Sequence, residues 1–112
     1  VRLPVQFGKL TRRFRDDPDI SGAELFDCAV SSANEAGWHF GGTIAGHIVG
    51  EFPHKSWPEP VNLSRIWPDN PEPLRGRDLQ GRVRHWILEV HLVAPDRSFG
   101  GFYEQLLLDD PA

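Results

Sequence analysis

The 112-residue sequence predicts an α+β fold, and three features of it carry that prediction. Ser21 and Glu24 stand at capping-box spacing ahead of an apolar stripe that recurs every three to four residues. Residues 82–93 read as a strand, whose two-residue period places Trp86, Leu88, Val90 and Leu92 on one apolar face. Residues 99–108 form a second extended run after the turn at Ala94-Pro95-Asp96-Arg97, so the two runs should pair as an antiparallel hairpin.

Taken in order, residues 1–8 are apolar but interrupted by Pro4, which suits irregular chain or an edge strand. Residues 9–16 can make two helical turns, with Leu10 and Phe14 four apart on one face. Lys9, Arg12, Arg13 and Arg15 then form a solvated face, and Asp17-Pro18-Asp19 makes a turn. The helix from Ser21 presents Leu25, Phe26, Ala29, Val30 and Ala33 as its apolar stripe. Ser31, Ser32, Asn34 and Glu35 are expected to face water, and Gly37 to end the helix. Cys28, on this helix, is expected to be a small core residue rather than a nucleophile.

Trp38-His39-Phe40 reads as a short aromatic strand entering Gly41-Gly42. The stretch from Gly46 to His54 follows, GHIVGEFPH, with two histidines seven residues apart. It is too rich in glycine for a helix interior and reads as a strand end running into a shaped loop. Such a loop can aim two imidazoles at one point, one for a metal and one for a proton; two unrelated loop histidines would have the same spacing. Residues 55–81 carry Pro58, Pro60, Pro68, Pro71 and Pro73, yet Val61, Leu63, Ile66 and Trp67 are apolar enough to pack this excursion onto a core.

On the second face of residues 82–93 lie His85, Ile87, Glu89, His91 and Val93, and in the partner run Phe102, Glu104 and Leu106 share a face. His47, Glu89 and Glu104 therefore stand out separately. One imidazole and two carboxylates suit Mn, Fe, Co or Zn, whereas the same acids on a sheet surface could simply pair with Arg or Lys. His39 and His85 are assigned to structure.

Composition narrows the classes. A single domain of ordinary globular composition spans residues 1–112, with a net charge of −4 that argues against nucleic-acid binding. No apolar run approaches the roughly 20 residues of a membrane span. One cysteine forms no internal disulfide, which makes a cytoplasmic location the default expectation. The chain contains no methionine, which fits a start inside a longer chain, a shifted start or removal of an initiator.

The runs GWHFGG, AGHIVGEFPH, GRVRHWILEVH and GGFYEQLL resemble the pita-bread metallopeptidases, the family of methionine aminopeptidase, Xaa-Pro aminopeptidase, prolidase and creatinase. The resemblance runs from about Asp19 to Leu108 and is nearest to short bacterial Xaa-Pro-peptidase-like members. It implies a partial pita-bread (creatinase-like) fold, a curved antiparallel sheet with helix 21–36 packed on one side. Trp86, Leu88, Val90 and Leu92 would then be buried against Leu25, Phe26, Ala29 and Val30. It also implies roles: His47 as a metal ligand, Glu89 as a ligand with a part in proton transfer, Glu104 as a bridging ligand, and His54 as the catalytic, substrate-contacting histidine. His91, two residues after Glu89, would orient a carboxylate.

The departures matter. Thr43 stands where many members have a further histidine. The family's two aspartates, eleven residues apart on an upstream hairpin, have no counterpart: Asp16 and Asp27 have that spacing but fall at a turn and inside a helix. The chain thus resembles the C-terminal half of the catalytic domain, with ligands for one divalent ion at most. The expectation is a metal-dependent, Xaa-Pro-aminopeptidase-like protein acting on peptides, incomplete in this chain. The alternatives are a non-catalytic remnant serving as an interaction module, and a plain α+β binding domain. Loss of the hairpin would also leave an open sheet edge that favours a homo-oligomer.

Overall fold

Ser21 opens the longest helix by the reciprocal bonds its spacing predicts. Its hydroxyl accepts from the Glu24 N–H at 3.1 Å, and its own N–H donates to Glu24 Oε1 at 3.0 Å. In this computed structural model the described residues are 8–49, 61–76, 84–94, 96 and 100–107. Helix α1 covers Gly8–Asp16 and α2 covers Gly22–Glu35. Gly37 ends α2 at φ +83°, and two bonds close the last turn, Gly37 N–H to Asn34 O at 3.0 Å and Trp38 N–H to Ala33 O at 2.9 Å. This is the double bond of a Schellman motif, which needs a left-handed residue and so favours glycine.

Four strands follow: β1 (His39–Phe40), β2 (Gly46–Ile48), β3 (Trp86–Val93) and β4 (Gly100–Leu107). All pairings are antiparallel and all involve β3. Its one edge takes β4 along the full length, with Glu89 opposite Glu104; the other takes β1 at the Leu92–Val93 end and β2 at the Trp86–Leu88 end. Between β1 and β2, the five residues Gly41 to Ala45 lie opposite only three, Glu89 to His91. The surplus bulges this edge beside Glu89, a local distortion common next to functional sites. The outer edge of β4 pairs with no strand among the described residues.

The even positions of β3 are the core. Trp86, Leu88, Val90 and Leu92 are all at most 2% exposed and join one cluster with Leu25, Ala29, Ala33, Leu10 and Phe14 from the helices. The helix α2 meets the sheet chiefly at β1, where Phe26 and Phe40 pack edge to face with centroids 5.2 Å apart. Residues 61–76 pack down as their apolar content predicts. A short 3₁₀ turn, Val61–Ser64, leads to Ile66, which is fully buried and lies along β2 through bonds to Ala45 and Gly46. Leu74, also fully buried, accepts from the Trp86 indole N–H at 2.8 Å.

Several expectations change. Ser32 is buried, not solvated, because it turns toward α1. Cys28 is half-buried at the rim of the core and faces a cleft. Val30 is half-buried and lies outside the core cluster. Residues 84–85 precede β3 instead of belonging to it. Residues 1–7 and the expected strand ends at 82–83, 99 and 108 lie outside the described residues.

Candidate functional site

His47 is placed by β2, whose register sets it opposite Ile87 on the face of β3 that points away from the core. Gly46 makes that placement possible. Its φ is +153°, and a Cβ there would run into the carbonyl oxygen of Ile87 and come within 2.8 Å of Ile66 Cδ1. Only glycine lets β2 approach β3 this closely. Glu89 lies two residues beyond Ile87 on the same face, diagonally across from His47, and Glu104 is its direct cross-strand neighbour.

These three side chains come together. His47 Nε2 lies 3.4 Å from Glu89 Oε1, with both side chains about three-quarters shielded from solvent. Glu89 and Glu104 share a side-chain hydrogen bond. Two carboxyl groups can make such a bond only with a proton between them, and this bond is the main reason the Glu104 carboxyl is held above its ordinary value of 4.5. Desolvation and the Glu89 charge push the same way, while His47 opposes them.

The other imidazole nitrogen is committed. His47 Nδ1 is 3.0 Å from the carbonyl oxygen of Ile48. A carbonyl only accepts, so Nδ1 carries the hydrogen and donates it. Nε2 is then left facing the carboxylates, either with a second proton or with a lone pair. This is the arrangement in which protein histidines commonly present Nε2 to a metal, the far nitrogen being fixed on a backbone carbonyl.

Among the described residues, no group of three or more His, Cys, Asp or Glu side chains stands in a closed metal-holding arrangement. His47, Glu89 and Glu104 instead stand in a row, with the imidazole 3.4 Å from Glu89 and a proton shared between the two carboxyls, so a cation would have to displace that proton and draw the donors inward. In donor chemistry the set fits a divalent transition metal.

His91 shares the face of Glu89 and is exposed, with Gly42 of the bulge close to its ring. His39 and His85 are exposed at the margins of the sheet. His54, the expected substrate-contacting histidine, lies outside the described residues. Asp16 ends α1 beside Arg15, and Asp27 faces the cleft between α1 and α2, so the eleven-residue spacing does not bring them to this sheet face.

One neighbour was not foreseen. Arg65 forms an isolated antiparallel bridge with His47, which places it beside the imidazole on β2's outer side, and its guanidinium lies 5.4 Å from the centroid of the Trp67 ring. The sequence signal was the alternation Arg65-Ile66-Trp67, in which Ile66 alone enters the core.

No family model, curated protein or solved structure matches the chain. Among the described residues no helix is long and apolar enough to cross a membrane.

Proposed function

We propose that the His47–Glu89–Glu104 face binds one divalent transition metal and belongs to a peptidase-like hydrolytic centre of the pita-bread type that the sequence resembles. The observation that carries the metal part is the orientation of His47: Nδ1 is tied to Ile48 O, and Nε2 is aimed at Glu89, itself hydrogen-bonded to Glu104. His47 Nε2 and the two carboxylates would hold the ion. When bound, such an ion supplies Lewis-acid polarisation of a carbonyl and a more acidic water. The chain's own part is to fix the imidazole tautomer through Ile48, to hold two carboxylates at adjacent register positions, and to accept or release the proton between Glu89 and Glu104. On the resemblance, a peptide with proline near the cleaved bond is the substrate, and His54 contacts it.

The proton-linked packing of the two acids favours a second reading, an interaction module that binds at most one metal and does not turn over. Titration calorimetry with Mn, Co or Zn, joined to hydrolysis of an Xaa-Pro dipeptide, separates them. Metal uptake in roughly the micromolar-to-millimolar range, lost in His47→Ala and Glu89→Gln, supports the metal site. Turnover that His54→Ala abolishes supports the peptidase, and uptake without turnover supports the module. Absence of uptake, or uptake indifferent to both ligand substitutions, refutes the proposal.

A further inference from the structure

A second feature lies between α1 and α2, away from the residues of the His47 face. There the helices leave a cleft of about 390 Å³, within the range of small-ligand pockets. Cys28 opens onto it, and Arg13 Nη1 donates to its Sγ at 3.6 Å. One turn further along α2, Ser32 lines the same cleft. Its residue is 6% exposed, and its hydroxyl has no hydrogen-bond partner among the described residues. A hydroxyl buried without a partner costs free energy, so the cleft lacks a polar group that a ligand can supply.

The charges around the sulfur are mixed. Arg12 of α1 and Asp27 of α2 both line the cleft, and the Lys9–Glu35 ion pair, at 3.7 Å, stands at its rim. Such a lining suits a zwitterion with separate carboxylate and ammonium groups better than a simple anion.

We propose that this cleft is a thiol-modification site, at which Cys28 forms a mixed disulfide with a small zwitterionic thiol peptide of the glutathione type. The co-reactant is the peptide's own disulfide. The Cys28 thiolate attacks one sulfur, the original S–S bond breaks, a new Cys28–S bond forms, and the second peptide leaves as a thiolate that takes up a proton. Cys28 is oxidised and the released peptide is reduced, so the step balances. Arg12 holds a peptide carboxylate, Asp27 its ammonium group, and the Ser32 hydroxyl a backbone amide of the adduct.

Because the chain has one cysteine, intact-mass spectrometry reads this site alone. The test measures adduct formation with oxidised glutathione against a neutral disulfide, bis(2-hydroxyethyl) disulfide, at equal concentration. The expected result is about tenfold faster reaction with the glutathione disulfide. Arg12→Ala and Asp27→Asn, both exposed positions, should bring that ratio toward one, the ratio cancelling any change in the thiol's own reactivity; Cys28→Ser should abolish both reactions. A wild-type ratio near one, or a ratio that neither charge substitution changes, overturns the proposal.

Discussion

Replacing Gly46 by alanine tests how the His47 face is built. Two costs add at this position. The backbone sits at φ +153°, where an L-residue is strained, for about 1–3 kcal/mol. The new Cβ would also strike the Ile87 carbonyl oxygen and lie 2.8 Å from Ile66 Cδ1. Neither neighbour can easily withdraw: Ile87 belongs to the central strand, and Ile66 is fully buried. Overpacking of this kind costs about 1–3 kcal/mol. The sum, about 2–6 kcal/mol, is a large part of the roughly 5–15 kcal/mol that stabilises a typical domain. Gly37 supplies the control. It too has positive φ, at +83°, but nothing lies within 4 Å of its would-be Cβ. Gly37→Ala should therefore cost only the left-handed penalty of about 1–2 kcal/mol. Urea denaturation of the two variants, with slopes of about 1–3 kcal/mol per molar, reads the difference as separated midpoints. Gly46→Ala should also weaken metal uptake, because it pushes His47 off its register. If Gly46→Ala were no more destabilising than Gly37→Ala, the close approach of β2 to β3 would be wrong and the placement of His47 with it.

Four further outcomes are expected. The Glu104 carboxyl is held above its unfolded value, so its stabilising contribution is complete below the unfolded value and is lost as pH rises through the folded one. Thermal melts from about pH 4 to about pH 8 should show that loss, and Glu104→Gln, which keeps a donor for Glu89 without the second charge, should flatten it. Metal affinity should climb over the same interval, since binding must expel the shared proton, and calorimetry in buffers of different ionisation enthalpy should detect its release. Asn70 is 1% exposed; its side chain donates to Arg65 O at 2.9 Å and accepts from Glu72 N–H at 3.1 Å. Asn70→Ala removes both of these buried bonds, for about 2–4 kcal/mol by denaturant melt, and should disturb Arg65 beside His47. Ser21→Ala removes the hydroxyl that accepts from the Glu24 N–H at the start of α2 and keeps the Ser21 N–H bond to Glu24 Oε1, for about 0.5–2 kcal/mol, and should leave metal uptake unchanged.

Local chemistry was enough to read much of this molecule from its sequence. The capping box at Ser21, the left-handed stop at Gly37 and the Leu10–Phe14 pair depend on neighbours within one or two turns, and each appears where spacing predicts it. The period of two in β3 likewise separates Trp86, Leu88, Val90 and Leu92 from Ile87, Glu89 and His91, because a strand has only two faces. Spacing also singled out His47, Glu89 and Glu104 before any pairing was known. What it did not contain was register. That Glu104 faces Glu89 rather than a residue two places away, and that His47 reaches Glu89 diagonally, depends on hydrogen bonds between segments about fifteen residues apart in the first case and about forty in the second. The surplus residues between β1 and β2, the bridge that seats Arg65 beside His47, and the turning of Ser32 and Cys28 onto a cleft are of the same kind. A side chain's face is set by its own strand or helix, but its partners are set by which other element packs there, and that balance of burial and hydrogen bonding is decided only when the whole chain folds.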